Sequence, residues 1–231
     1  MVCDTLVYHP TVTKLIKFLE TTQGREKILR LLQYLSRFLA VQQSSIYYRQ
    51  LQAQFTLIRK VLRFLKPLNH LQAASKFYDD TISQDYLVRL CNIIKNLGYA
   101  SYLSFDQINL LRMLRIVPST NFTTVKVPRY CNWFWFIALI SGLTLDIRKI
   151  QISELKLNQK ISKDSIDKEK DSMKHILLEK HSATRRLVWD SLDTFIVANN
   201  LGFFSNREDY VALAGVVTSL LGLQDLWKGT K

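Results

Sequence analysis

Glycine and proline are scarce, at seven and four in 231 residues. So few turn formers exclude a fold of many short strands and favour long helices rich in Leu, Lys, Arg and Gln. Cysteine is limited to Cys3, Cys91 and Cys131, far apart and in no CxxC arrangement. That spacing argues against a disulfide framework and for a reducing compartment. The chain has no P-loop, GxGxxG or GxSxG string. Its four histidines, His9, His70, His175 and His181, lack metal-ligand spacing. Neither enzyme chemistry, cofactor nor metal is therefore expected. The first residues carry Asp4 and no apolar stretch of the kind a secretory signal needs.

Acidic residues are scarce in one region. From Lys27 to Lys76 there are nine cations and no carboxylate, within a chain of net charge +13. A one-signed segment needs an acidic partner: nucleic acid, an anionic membrane or an acidic protein. Nucleic acid is disfavoured. The aromatics sit in apolar stretches (Trp133, Phe134, Trp135, Phe136) or on apolar stripes (Phe38, Phe55) and are not interleaved with glycine and basic residues.

No run reaches the ~18 uninterrupted apolar residues of a clear membrane span. Two come near. Tyr130 to Leu145 is uncharged for 16 residues and Tyr210 to Gln224 for 15. Each fits a buried core helix, an embedded segment or a short tilted span.

Apolar residues recur at helical period. The spacing predicts helices over Thr11–Glu20, from Arg25 after a break at Gly24, over Ile46–Lys66 up to Pro67, and over Leu68–Tyr78, Ser83–Leu97 and Ser104–Ile116. Further helices are predicted over Cys131–Gln159, Ala183–Leu201 and Glu208–Trp227, with Gly202 and Asn206 in the last turn. The fold class is all-α: a bundle of long amphipathic helices with apolar membrane-associated helices and a C-terminal helical hairpin. The boundaries are a basic region 1–117, a connector 118–129, an apolar helix with polar extension 130–159, a charged loop 160–182 and the hairpin 183–231. Ser162, Ser165 and Ser172 in the charged loop are candidate phosphate acceptors, against the plainer reading of a solvated linker.

The sharpest feature is the segment 49–66. At about 100° per residue, Leu51, Phe55, Ile58, Leu62 and Leu65 fall within about 40° of the direction of Leu51. Leu57, Val61 and Phe64 widen that face. Arg49, Arg59, Lys60, Arg63 and Lys66 take the opposite arc, with no acid among them. An ordinary surface helix mixes charge signs on its wet face. A helix lying in a membrane interface sets cations toward anionic headgroups and apolar side chains toward the acyl boundary. Each such cation contributes about 1 kcal/mol, and each inserted large apolar side chain roughly 1.5–3 kcal/mol before ordering costs. The competing destination for the stripe is the chain's own helical core.

Two weaker patterns remain. Ala212, Gly215, Ser219 and Gly222 make one small-residue face, suited to helix packing within the chain or to oligomerisation in a membrane. Asp190 and Asp193 share a helix face with Arg186 one turn earlier, and the expectation is a surface ion pair rather than acid–base chemistry.

The chain also carries long strings that resemble the yeast-type members of the peroxin-eleven family. They are MVCDTLVYHP, GREK with LLQYLSRFLAVQ, LRFLKPLNHLQAA with KFYD, RRLVWD, FIVANNLG and YVALAGVVTSLLGLQDLWK. The resemblance covers nearly the whole chain and is least evident at 160–180. It implies a peroxisomal membrane protein of organelle elongation and division, with cytosolic termini and self-association. It further implies an amphipathic helix, mapping here onto Arg49–Lys66, that inserts into the membrane, and scission with a dynamin-related GTPase and fission adaptors. Passage of metabolites for peroxisomal fatty-acid oxidation is the alternative it implies. The implied partners are anionic membrane lipids, further copies of the chain and the fission machinery.

Overall fold

A computed structural model describes residues 7–80, 85–161, 169–204 and 207–230, the side chains of 160, 161 and 169–172 excepted. Among these residues there are eight α-helices and no strand. They are α1 Pro10–Glu20, α2 Thr22–Gln42, α3 Ile46–Leu62, α4 Pro67–Asp79, α5 Tyr86–Met113, α6 Val127–Ile161, α7 Glu169–Leu201 and α8 Glu208–Gly229, with a π turn at Phe122–Lys126 leading into α6.

Local chemistry sets the boundaries. Pro10 opens α1 and His9 caps it, its Nδ1 accepting from Thr11 N at 3.2 Å. Thr21, not Gly24, separates α1 from α2: its Oγ1 accepts from Gly24 N at 3.0 Å, and Gly24 lies inside the new helix. Glycine is needed there because a Cβ would come 2.3 Å from the carbonyl oxygen of Phe18. Pro67 begins α4 where its missing N–H costs nothing. Asp85 caps α5 through Leu87 N at 3.1 Å and also accepts from Arg148 of α6 at 2.6 Å.

Two expectations are corrected. The helices expected at 83–97 and 104–116 are one element, α5, because Gly98 lets α6 approach rather than ending the helix. A Cβ on Gly98 would lie 2.9 Å from that of Ala138. The charged segment at 160–182, expected as a loop or an exposed helix extension, is helical over its described residues, which corrects the loop alone. α6 runs to Ile161 and α7 starts at Glu169, and Lys180 Nζ pairs with Glu154 Oε1 at 2.9 Å between their polar extensions. Ser162, Ser165, Asn206 and Cys3 lie outside the described residues, while Ser172 falls within α7.

The helices close a ring in the order α2, α3, α5, α6, α7, α8 and back to α2, with α4 packed on α5 and α1 on α2. One apolar cluster joins Tyr34, Ile196, Val211 and Ala214; another joins Val88, Cys91 and Leu145. Between them the interior is polar and charged. Glu26, Arg30, Arg59, Lys60, Lys95, Asp106, Asp146, Asp190 and Asp193 are all buried, while many Leu, Ile, Val and aromatic side chains lie on the outside. Nine buried ionic groups are many for a water-soluble bundle, in which such groups are rare. In lipid, charged residues face the bundle interior and pair with one another. Two elements, Phe122–Gln159 and Glu208–Gly229, are long and apolar enough to cross a bilayer, and only 33% and 39% of their most apolar windows are buried. A core helix of a soluble protein would be mostly covered.

Candidate membrane-binding site

Helix α3 and the turn after it form the site. The segregation of the 49–66 segment is real, but its direction corrects the expectation. The basic face points into the bundle and the apolar face points out. Ile58, Val61 and Leu65 are exposed, and Leu51, Phe55 and Leu62 are half-buried. Arg59 and Lys60 are buried, Arg63 and Lys66 half-buried, and Arg49 is the exposed cation of the set.

Each inward cation but one meets a buried acid on another helix. Arg59 donates to Glu26 Oε1 of α2 through Nη2 at 2.7 Å and Nε at 3.0 Å, and to the side-chain oxygen of Gln33. Lys60 pairs with Asp106 of α5, whose other oxygen accepts from Arg63 Nη2 at 3.0 Å. Arg63 Nη1 also donates to the Tyr102 hydroxyl at 3.1 Å. Lys66 has no ion-pair partner among the described residues. Burial raises the Glu26 carboxyl, but Arg59, with Lys27 and Arg63, outweighs it and holds the group down at about 2. The ion pairs explain the orientation. An unpaired charge in a low-dielectric interior is very costly, while a paired and hydrogen-bonded one is tolerated. The outward face is then left to the side chains that lipid tails can accommodate.

Past the end of α3, Leu65 adopts a positive φ of 60°. This conformation is unusual for a non-glycine residue. It places Phe64, Leu65 and Leu68, 53%, 56% and 60% exposed, in one outward group.

The interior continues beyond the site. Arg30 Nη2 donates to Asp193 Oδ1 at 2.5 Å and to Thr218 Oγ1 at 3.0 Å, and Trp189 Nε1 donates to the second oxygen of Asp193 at 3.1 Å. Lys95 Nζ donates to Asp190 Oδ2 at 3.1 Å, with Arg186 Nε further off at 3.9 Å from Oδ1. The expected Arg186–Asp190 pair forms, at 3.9 Å, but its surface placement is corrected: both acids are interior and also take cations from far away in the chain, Lys95 and Arg30. Glu26, Asp106, Arg30 and Lys95 were not marked as site residues from the sequence. The available signal was the isolation of Glu26 and Asp106 as lone acids within strongly basic or apolar surroundings.

Ala212, Gly215, Ser219 and Gly222 are all buried inside the chain. Gly215 lies under the Tyr34 ring and Gly222 under Trp189, where a Cβ would come within 2.1 and 2.7 Å of ring atoms. The small face therefore packs against α2 and α7, and as a contact between copies it is corrected because those helices cover it. The outward face of α8 presents Tyr210, Leu213, Val217 and Leu220 instead. At the same end as the α7–α8 turn, Trp133, Phe136 and Phe203 form an edge-packed aromatic group with centroids 5.9 to 6.1 Å apart. Of the three, Trp133 has the amphipathic ring enriched at the headgroup level of bilayers.

The sequence pattern described as Peroxisomal biogenesis factor 11 matches residues 12–227. Peroxisomal membrane protein PMP27 of Saccharomyces cerevisiae is 57% identical over the full length of both chains. Peroxisomal membrane protein PMP30A of Candida boidinii is 32% identical, again over both chains in full. Peroxisomal membrane protein 11A of Bos taurus is 22% identical over 90% of this chain and 93% of its own. No solved structure matches the chain.

Proposed function

Because the chain belongs to the Peroxisomal biogenesis factor 11 family, we propose that it is a remodelling protein of the peroxisomal membrane whose α3 and following turn insert apolar side chains into the bilayer. Its location is the peroxisomal membrane and its broad role peroxisome biogenesis and proliferation. The observation that carries the mechanism is the outward row Ile58, Val61, Phe64, Leu65 and Leu68 over an inward row of paired cations. Apolar side chains wedged at the acyl boundary displace lipid on one leaflet and favour curvature, and several copies side by side would concentrate the effect. Arg49 is left to meet anionic headgroups. Self-association and scission by a dynamin-related GTPase with its adaptors complete the reading, on the strength of the family.

The test uses the full-length protein on vesicles containing anionic lipid. The wild type should bind and draw them into tubules. A double Ile58→Glu, Val61→Glu variant should keep its helical circular dichroism and lose tubulation. Tubulation by that variant at wild-type protein concentration would sink the mechanism.

A second reading, passage of small metabolites, is favoured by the charged interior. Cavities of about 930 and 580 Å³ lie in it and share His70, Tyr99 and Arg186 in their walls. Conductance in a planar bilayer that changes with Arg186→Gln would support it, and a silent bilayer would remove it.

A further inference from the structure

Two adjoining cavities, of about 580 and 430 Å³, share Gln23, Glu26, Arg63 and Lys66 in their walls. The larger reaches inward to Lys27 and Arg30; the smaller opens outward beside Phe64, Leu65 and Leu68. The interior ion pairs account for Arg59, Lys60 and Arg63. They leave Lys27 and Lys66 unpaired among the described residues: Lys27 Nζ has only the face of Trp189, 4.8 Å from its centroid. Buried Arg30 Nε also lacks an acceptor. Two lysine amines and a guanidinium N–H thus face one space whose acids are already engaged; burial lowers both amines, Lys27 to about 7, and an anion between them would favour their charged form.

We propose that this space holds the phosphate headgroup of one anionic phospholipid, between Lys27 and Lys66, with its acyl chains leaving past Phe64, Leu65 and Leu68. A phosphate brings negative charge and several acceptor oxygens, which match the surplus donors. The amide of Gln23 adds a neutral donor at the shared wall. The apolar mouth selects a lipid over a free anion, because only a lipid covers those three side chains as well. The proposal rests on the membrane reading above and adds a stoichiometric site to it.

Full-length protein in a neutral detergent would be titrated with dioctanoyl phosphatidic acid, dioctanoyl phosphatidylcholine and inorganic phosphate. The expected result is saturable binding of one phosphatidic acid, with the other two much weaker. A Lys27→Gln, Lys66→Gln variant should bind it about tenfold less tightly or worse, since each charge-assisted contact is worth at least that much. Lys76→Gln, at an exposed cation that lines neither cavity, should bind as the wild type does. Should the double variant fail to fold, Leu68→Ser at the rim leaves the interior intact and should weaken lipid binding. The proposal is overturned by absent or non-saturable binding, by full binding in the double variant or in Leu68→Ser, or by inorganic phosphate binding as tightly as the lipid. Vesicle tubulation separates the two readings. A protein that tubulates without binding one lipid loses only the pocket, and one that binds the lipid without tubulating loses the remodelling function.

Discussion

Arg59 of α3 reaches Glu26 of α2 through two guanidinium nitrogens, at 2.7 and 3.0 Å, with both side chains buried. The pair fixes which face of the amphipathic helix looks inward. Removing one partner strands the other charge without water. Arg59→Gln should therefore destabilise the protein by about 3–5 kcal/mol, whereas removing both partners should cost much less. Thermal unfolding in mild detergent, read as a cycle of Arg59→Gln, Glu26→Gln and the double variant, measures this. Simple additivity of the two single losses would contradict the pairing.

The same pair makes a pH prediction. The Glu26 carboxyl stands at about 2 in the folded protein against an ordinary 4.5. A lowered carboxylate stabilises the fold fully above its unfolded value. That contribution is lost as pH falls from about 4.5 through 2, and the shift corresponds to about 3 kcal/mol. Stability measured from pH 6 down to pH 2 should fall, and Glu26→Gln should flatten part of that fall. An unchanged slope in the variant would show that other carboxylates carry it.

Periodicity made the helices legible because burial on one side forces apolar residues into a 3.6-residue repeat. It also separated the cations of Arg49–Lys66 from its apolar stripe. A repeat of that kind has no sign, however: it shows two faces and not which of them meets the outside. The answer lay in Glu26 and Asp106, distant in the chain, which draw Arg59, Lys60 and Arg63 inward. One consequence reverses a natural test. Charge reversal at Arg59, Lys60 and Arg63 is expected to unfold the bundle, not merely to release it from headgroups. Gly98 illustrates a different limit. Glycine reads as a helix breaker in one dimension, and its use as a contact point for Ala138 needs the partner helix to be known.

Gly142 of α6 gives way to the Lys95–Asp190 pair. A Cβ there would stand 2.5 Å from Asp190 Oδ2 and 2.9 Å from Lys95 Nζ. The lysine end can swing aside, but Asp190 is short and enclosed. Gly142→Ala should thus loosen the α5–α6–α7 contact at a cost of about 1–3 kcal/mol, the range for overpacking a close-fitted interior. Ser141→Ala next to it, where the hydroxyl bonds only to Ile137 O, should stay within about 1 kcal/mol of the wild type. Melting temperatures of the two variants decide the point. Equal melting would mean that the interior has slack the geometry does not show.

Leu65 places stability and membrane action in opposition. Its φ of 60° costs backbone energy that glycine would not incur, of order 1 kcal/mol. Glycine also gains freedom in the unfolded chain, so Leu65→Gly should leave the melting temperature in detergent nearly unchanged or slightly raised. The side chain, over half exposed, makes its contribution outside the fold. Losing it removes roughly 1.5–3 kcal/mol of apolar transfer if it is inserted in lipid, so vesicle partition should drop by about tenfold or more. A structural role alone predicts the opposite pair of results, a lower melting temperature with partition intact. Measuring both on one preparation distinguishes a residue strained to reach lipid from one that merely closes the turn between α3 and α4.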